Sequence, residues 1–232
     1  MATEKPSIVI VQGSFQAPLV YNSLLTRLRE LGYSVHLPPF ASCSDVDNDD
    51  FPTRTLMNDV SAVARIIENL IKEEKTVVVV MHSYGGIVGS YSFSESLSYK
   101  ARQARGQKGG VKSVLETFGE SPNNDVKDDG RFYIKNGAST LYSDLPAVEA
   151  TWESPLIPQS YRVQKTSNEQ AVPSPFQRMF AKMVNTGVDS CDTGHSPILS
   201  QTGMLVGKIA TAVDKAAAAV YPSSPVDRLA EN

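Results

Sequence analysis

The sequence predicts an α/β fold, a mostly parallel doubly wound sheet with a small cap insertion, on three observations. Short apolar, β-branched runs of strand length recur along the chain. Amphipathic stretches at helical spacing lie between them, and the strand runs are apolar on both faces, as strands covered by helices on each side must be. With 232 residues and 41% hydrophobic content the chain can bury a sizeable core, and one domain over residues 1–232 is the expected organisation.

The elements follow in order. "SIVIV", Ser7 to Val11, opens the sheet, and Leu19, Leu24, Leu25, Leu28 and Leu31 of "LVYNSLLTRLRELG" then recur at helical spacing until Gly32 stops them. Tyr33 to Leu37 is the second strand run, "RTLMNDVSAVARIIENLIKEE" the second amphipathic helix, and Thr76 to Met81 the third strand. A third helix is expected from Tyr84 to about Arg105, closed by the "RGQKGG" turn, before a fourth strand from Val111 to Phe118. From about Gly119 to Pro158 the alternation gives way to polar, turn-rich sequence. This is the cap-like insertion, residues 119–158, read as standing outside the sheet, with "RFYIKNGAS" forming a hairpin around Asn136-Gly137. The pattern resumes with a strand in "SYRVQKT", a helix in "SPFQRMFAKMVNTG", a short strand in "VDSCD" and the closing helix "QTGMLVGKIATAVDKAAAAV". Residues 221–232, rich in Pro and Ser, read as a loosely held tail.

A formal charge of −3, a pI near 5.7 and the lack of a Lys/Arg run leave no electrostatic footprint for nucleic acid or an anionic membrane. The expected partner is a small neutral or weakly charged molecule, and a homodimer stays open. "MATEKPSIVIVQGSF" lacks the basic start of a signal peptide, and no apolar run reaches bilayer-spanning length. Cys43 and Cys191 are too few for a disulfide framework or a zinc site and are read as structural. A cytoplasmic location is the expectation.

The chemistry concentrates at "VVVVMHSYGGIVGS". A serine beside glycine is common in βα loops; here it follows a convincing strand and precedes a helix start, the context of a nucleophile elbow. The turn reads Met81-His82-Ser83-Tyr84-Gly85, so the second glycine of G-x-S-x-G is present and methionine stands at the first. A serine needs a histidine base to attack at neutral pH. Of the three histidines, His36 lies inside an apolar strand, and His82 should by strand alternation project away from Ser83. His195, in "CDTGHSPILSQ", sits in a loop far downstream, where an elbow enzyme presents its base.

"VVVVMHSYGGIVGS", "QGSFQAPLVYNSLLTRLRELGYSVHLPPF", "EQAVPSPFQRMFAKM" and "GHSPILS" together resemble the small α/β-hydrolase family that includes plant methylesterases and hydroxynitrile lyases, and its fungal members more closely. The resemblance covers most of the chain in order and implies the α/β-hydrolase fold. It implies an oxyanion hole from the backbone N–H groups of Ser14 and Tyr84, with Gln12-Gly13 standing where the family has His-Gly. It also implies Glu169, in "SNEQAVPSPFQ", as the triad acid where the family has aspartate; Asp189 and Asp192 are fallback acids, with Glu116 or Glu120 more distant.

The expectation is a serine hydrolase cleaving a carboxylic ester, lactone or thioester of a small organic acid through an acyl-enzyme. Ser83 is the nucleophile, His195 the base and Glu169 the residue that orients it, with no metal or cofactor. Phe132, Tyr133, Tyr142, Leu145 and Trp152 of the insertion are expected to wall an apolar pocket. The alternatives are a lyase or carbon–carbon bond enzyme on the same scaffold, or a catalytically weakened ligand-binding member. Hydroxynitrile lyases of the family carry lysine after the histidine, and Ser196 stands there in this chain.

Overall fold

Ser7–Val11 (β1), Val35–His36 (β2), Thr76–His82 (β3) and Gly110–Thr117 (β4) form one parallel sheet in the order β2-β1-β3-β4. They belong to a computed structural model that describes residues 4–117, 124–126, 128, 129, 131–135, 137, 141, 142, 144, 145, 159, 160, 189 and 191–219. This is the doubly wound parallel sheet the sequence predicts. The chain leaves β1 outward to β2, then returns past β1 to β3. The winding therefore reverses between β1 and β3, and the carboxyl ends of strands at such a switch point are where α/β sheets place ligands.

Strand alternation sorts the core into two layers. Val9, Val11, Val77, Val79 and Met81 pack with the helices Leu56–Lys72 (α2) and Gly85–Tyr91 (α3). On the other face Ile8, Ile10, Val78 and Val80 pack with the helices Asn22–Glu30 (α1) and Thr202–Ala218 (α6). Each such side chain, taken fully out of water, contributes roughly 1.5–3 kcal/mol before conformational entropy is counted. The α1 stripe is narrower than its leucine pattern. Leu24, Leu25 and Leu28 are buried, while Leu19 and Leu31 are 53% and 46% exposed. The first lies in a 3₁₀ turn at Pro18–Tyr21 and the second caps the helix. At the start of α2, Asn58 Oδ1 accepts from the Thr55 backbone N–H at 2.8 Å, satisfying a donor the helix leaves free.

The expected third helix is broken into three pieces: α3, a 3₁₀ turn at Glu95–Leu97, and Tyr99–Gln103 (α4). Serines cause the breaks. Ser92 Oγ bonds back to Val88 O at 2.6 Å, and Ser98 Oγ accepts from Ala101 N–H at 3.2 Å, offering the backbone partners that a continuous helix would not.

The insertion departs from expectation as well. Asn124–Val126 (β5), Arg131–Ile134 (β6) and Gln159–Ser160 (β7) pair antiparallel as a second, small sheet in the order β5-β6-β7. The β6 strand is where "RFYI" predicts it and pairs with upstream β5 and with β7; Asn136 and residues 138–140 of the expected hairpin lie outside the described residues. Arg131 ties this sheet to the main body: its Nη2 donates to Val46 O at 2.8 Å and its guanidinium lies 5.7 Å over the Phe51 ring. Leu141 and Tyr142 are buried with Phe15.

Of the "SYRVQKT" strand only Ser160 is described, in β7. The "SPFQRMFAKMVNTG" helix, Glu169, Glu120, Trp152 and the 221–232 tail lie outside the described residues. Asp189, Cys191 and Asp192 of the "VDSCD" segment are in irregular backbone. The one-turn helix Pro197–Ser200 (α5) then leads into α6, which matches the predicted closing helix. Among the described residues no helix is long and apolar enough to cross a membrane.

Candidate active site

Ser83 stands in the two-residue turn between β3 and α3 with φ of 54°, a left-handed conformation that few non-glycine residues adopt. Such a backbone costs on the order of 1–3 kcal/mol and persists only where its surroundings hold it. What holds it is the near contact of α3 with the end of β1. A Cβ on Gly85 would lie 2.2 Å from Val11 O and 2.6 Å from Gln12 O, so only glycine fits. The methionine at the motif's first position is accommodated from the same helix. Met81 is buried on the α2/α3 face, and a Cβ on Gly89 would lie 2.2 Å from its Sδ. The thioether therefore fills the space that Gly89 leaves open.

Gly13 to Gln16 form the turn after β1, with Phe15 at φ of 63° and its ring buried against the insertion. Ser14 is half-exposed there. Tyr84 is fixed from its far end: its hydroxyl donates to Asp59 Oδ2 at 2.9 Å, and its ring meets Phe40 edge-on at 5.6 Å. Asp59, fully buried, also accepts from the Ser42 N–H at 3.0 Å and the Ser42 hydroxyl at 2.5 Å. Burial pushes its carboxyl upward, while the Ser42 and Tyr84 donors pull the other way. Among the described residues no hydrogen bond engages the backbone N–H of Ser14 or of Tyr84.

His195 occupies the loop before α5, bracketed on three sides. Its carbonyl accepts from His82 Nε2 at 3.0 Å, and the two rings lie 5.3 Å apart. Asp144, from the insertion, accepts the preceding Gly194 N–H at 2.7 Å and the Ser200 hydroxyl at 2.6 Å. On the other side the buried Ser196 Oγ is 2.9 Å from Gln16 Nε2. The His195 Nδ1 is buried and has no hydrogen-bond partner among the described residues. Burial first, and coulombic coupling to neighbouring His82 second, hold the ring far below the ordinary imidazole range, at about 3.

The fold thus brings Ser83, Ser14, Tyr84 and His195 to one corner, at the carboxyl ends of β1 and β3. Neither fallback aspartate joins them: Asp189 pairs with Lys208 at 2.5 Å, and Asp192 is exposed. His36 is half-buried on β2, its Nε2 3.0 Å from Ser34 Oγ. Sequence reasoning missed His82, Tyr21, Gln16 and Asp144. For His82 the signal was available. Alternation turns it onto the α1/α6 face, the face whose last helix follows His195 directly.

The sequence matches the alpha/beta hydrolase family over residues 8–206. It is 26% identical over 258 residues to the alpha/beta hydrolase nvfD of Aspergillus novofumigatus, covering 91% of this chain and 98% of that protein. It is 31% identical over 131 residues to the probable hydrolase R7 of a Phoma species, covering 53% of this chain and 48% of that protein. Among solved structures, a pyrethroid hydrolase from Sphingobium faniae superposes with a TM-score of 0.64 at 16% identity, over 90% of this chain and 97% of that one. The methylesterase MES16 from Arabidopsis gives 0.64 at 17% identity, over 90% and 99%. Tomato methylketone synthase I gives 0.63 at 16% identity, over 91% and 98%. At these identities the three structures share the fold.

Proposed function

The chain belongs to the alpha/beta hydrolase family, and from that premise we propose that it is a serine hydrolase of carboxylic esters, lactones or thioesters of small organic acids, acting through an acyl-enzyme. The observation that carries this reading is the left-handed Ser83 at the β3–α3 turn, a strained backbone of the kind kept where a hydroxyl must stand clear above a sheet.

In this reading Ser83 Oγ attacks the acyl carbon while His195 takes its proton. The carbonyl oxygen, now negative, is met by the Ser14 and Tyr84 N–H groups, both free of other bonds among the described residues. Collapse expels the alcohol or thiol, which receives the proton from His195. Water, deprotonated by the same ring, then releases the acid and restores Ser83. Glu169 orients His195 through Nδ1, the buried ring nitrogen that carries no hydrogen bond among the described residues. Tyr142 and Leu145, packed with Phe15 beside Ser14, supply part of the apolar wall on the acyl side.

The test is labelling of the intact protein with a fluorophosphonate and mapping of the modified residue, alongside turnover of an activated aryl ester by wild type and Ser83→Ala. Adduct on Ser83 and loss of turnover by several orders of magnitude are the expected results. A well-folded Ser83→Ala variant that keeps most of its activity would overturn the reading.

A further inference from the structure

A continuous buried chain of polar groups links the turn after β1 to the His195 loop and passes through no residue assigned a role above. The Gly13 N–H donates to Tyr21 Oη at 2.8 Å, Tyr21 Oη lies 2.8 Å from His82 Nδ1, and His82 Nε2 lies 3.0 Å from the His195 carbonyl. Tyr21 is wholly buried and His82 is 5% exposed. The protons can be assigned by elimination. A carbonyl oxygen only accepts, so His82 Nε2 carries hydrogen. Burial keeps the ring neutral, so Nδ1 is left to accept from the Tyr21 hydroxyl. The Tyr21 oxygen in turn takes the Gly13 N–H. The Tyr21 hydroxyl has one proton, so the Gln16 amide, 2.8 Å away, turns its NH2 end toward the Tyr21 oxygen and leaves its own oxygen to accept from the Ser196 hydroxyl.

We propose that Tyr21 and His82 are positioning residues for the hydrolysis, holding the turn that carries Ser14 and the loop that carries His195 at one fixed separation. The proposal rests on the reading of Ser83, His195 and Ser14 given above. The His195 ring has no bond to Nδ1 among the described residues, so its backbone carbonyl is where the structure grips it. The grip comes from the residue adjoining Ser83 in sequence. The base is thereby referenced to the nucleophile's own strand, and through Tyr21 to the residue before the first oxyanion donor. Gly13 leaves this link no slack, since a Cβ there would lie 3.1 Å from His82 Nδ1.

The role predicts a loss in the chemical step without a loss in binding. Wild type, Tyr21→Phe, His82→Leu, His82→Gln and the control Val213→Ala are compared for kcat and KM on p-nitrophenyl acetate, and for the rate of fluorophosphonate labelling at Ser83. Val213 is equally buried, about three turns along α6 from the His195 loop. Tyr21→Phe and His82→Leu should lower kcat and labelling rate ~10- to 100-fold while KM moves by less than about threefold. His82→Gln, whose amide can donate to the His195 carbonyl and accept from Tyr21, should recover most of the loss. Val213→Ala should lose thermal stability and keep kcat. Wild-type rates in Tyr21→Phe, or an equal fall in Val213→Ala, overturn the positioning role while leaving Ser83 as nucleophile. Should His82→Leu fail to fold, Tyr21→Phe and His82→Gln decide the matter on the same criteria. A wild-type protein that takes no label on Ser83 is a separate outcome and removes the catalytic reading together with this one.

Discussion

Met81 and Gly89 should behave as one unit. Met81→Gly removes a buried thioether that sits against Gly89, and the sheet and α3 hold the walls of the resulting cavity apart. Truncation of a buried methionine to alanine costs about 2–5 kcal/mol, and glycine in a strand adds about 0.5–1 kcal/mol. The sum is a large share of the roughly 5–15 kcal/mol that stabilises a typical domain. A relaxed turn alone would predict only the glycine term, so the burial seen here raises the expected loss severalfold. Gly89→Ala fails for the opposite reason. Its methyl would stand 2.2 Å from Met81 Sδ, an overlap that costs about 1–3 kcal/mol if the side chain moves aside. In Met81→Ala/Gly89→Ala the new methyl enters the vacated space, so the double variant should be more stable than the sum of the singles by about 0.5–3 kcal/mol. Urea denaturation of wild type, Met81→Ala, Gly89→Ala and the double variant closes this cycle. Additivity within about 0.5 kcal/mol would show that the two positions do not share the volume described, and the account of the elbow would be wrong.

Glu169→Gln should lower kcat by roughly two to four orders of magnitude and spare KM, whereas Asp189→Asn and Asp192→Asn should retain activity; a large loss in either asparagine variant with none in Glu169→Gln transfers the role. His36, His82 and His195 are all held below the ordinary imidazole value by burial, so the folded state binds fewer protons than the unfolded chain below about pH 6.5. Their contribution to stability is complete above that pH and is lost as pH falls toward the folded values, about 3 for His195, so the urea midpoint should drop steadily from pH 7 to pH 4. A flat midpoint across that range counts against burial of the neutral rings. Asp144→Ala frees the Gly194 N–H and the Ser200 hydroxyl. Since Asp144 is exposed, its loss should barely move the melting temperature while kcat falls roughly tenfold, short of the hundredfold a 1 Å misplacement can cost. An unchanged kcat would mean that the His195 loop holds its shape without the insertion.

Where the sequence predicted well, a single periodicity decided the matter. The unbroken valines of β3 encode a strand covered on both faces and the helical spacing of α2 encodes one buried stripe, and the structure returns both elements within a residue or two. The α3–α4 region was misread because its apolar residues keep helical spacing while its serines compete for the backbone, and the second effect wins at Ser92 and Ser98. The small sheet was missed because its strands are two to four residues long, too short for alternation to register. At the site, Ser83 and His195 were legible from turn chemistry and chain order, whereas Ser14 and Tyr84 came only with the family resemblance. Asp144 was not, since a carboxylate bonding to a backbone N–H fifty positions away leaves no mark in local pattern.

The contact between Gly85 and the carbonyls of Val11 and Gln12 divides the molecule by its capacity to vary. Where a helix lies against backbone oxygens with no room for even a methyl group, the spacing of α3 from the end of β1, and with it that of the two proposed oxyanion donors, is limited by main-chain contact. Diversification of substrate among related chains has to be found elsewhere, in parts whose replacement leaves that junction intact. The insertion answers this description. It reaches the site through side chains, Tyr142 beside Phe15 and Asp144 on the His195 loop, so its composition can change while the main-chain junction stays constant. Swapping this segment with Asp144 retained is therefore a route to new acyl preferences that spares the hold on the His195 loop.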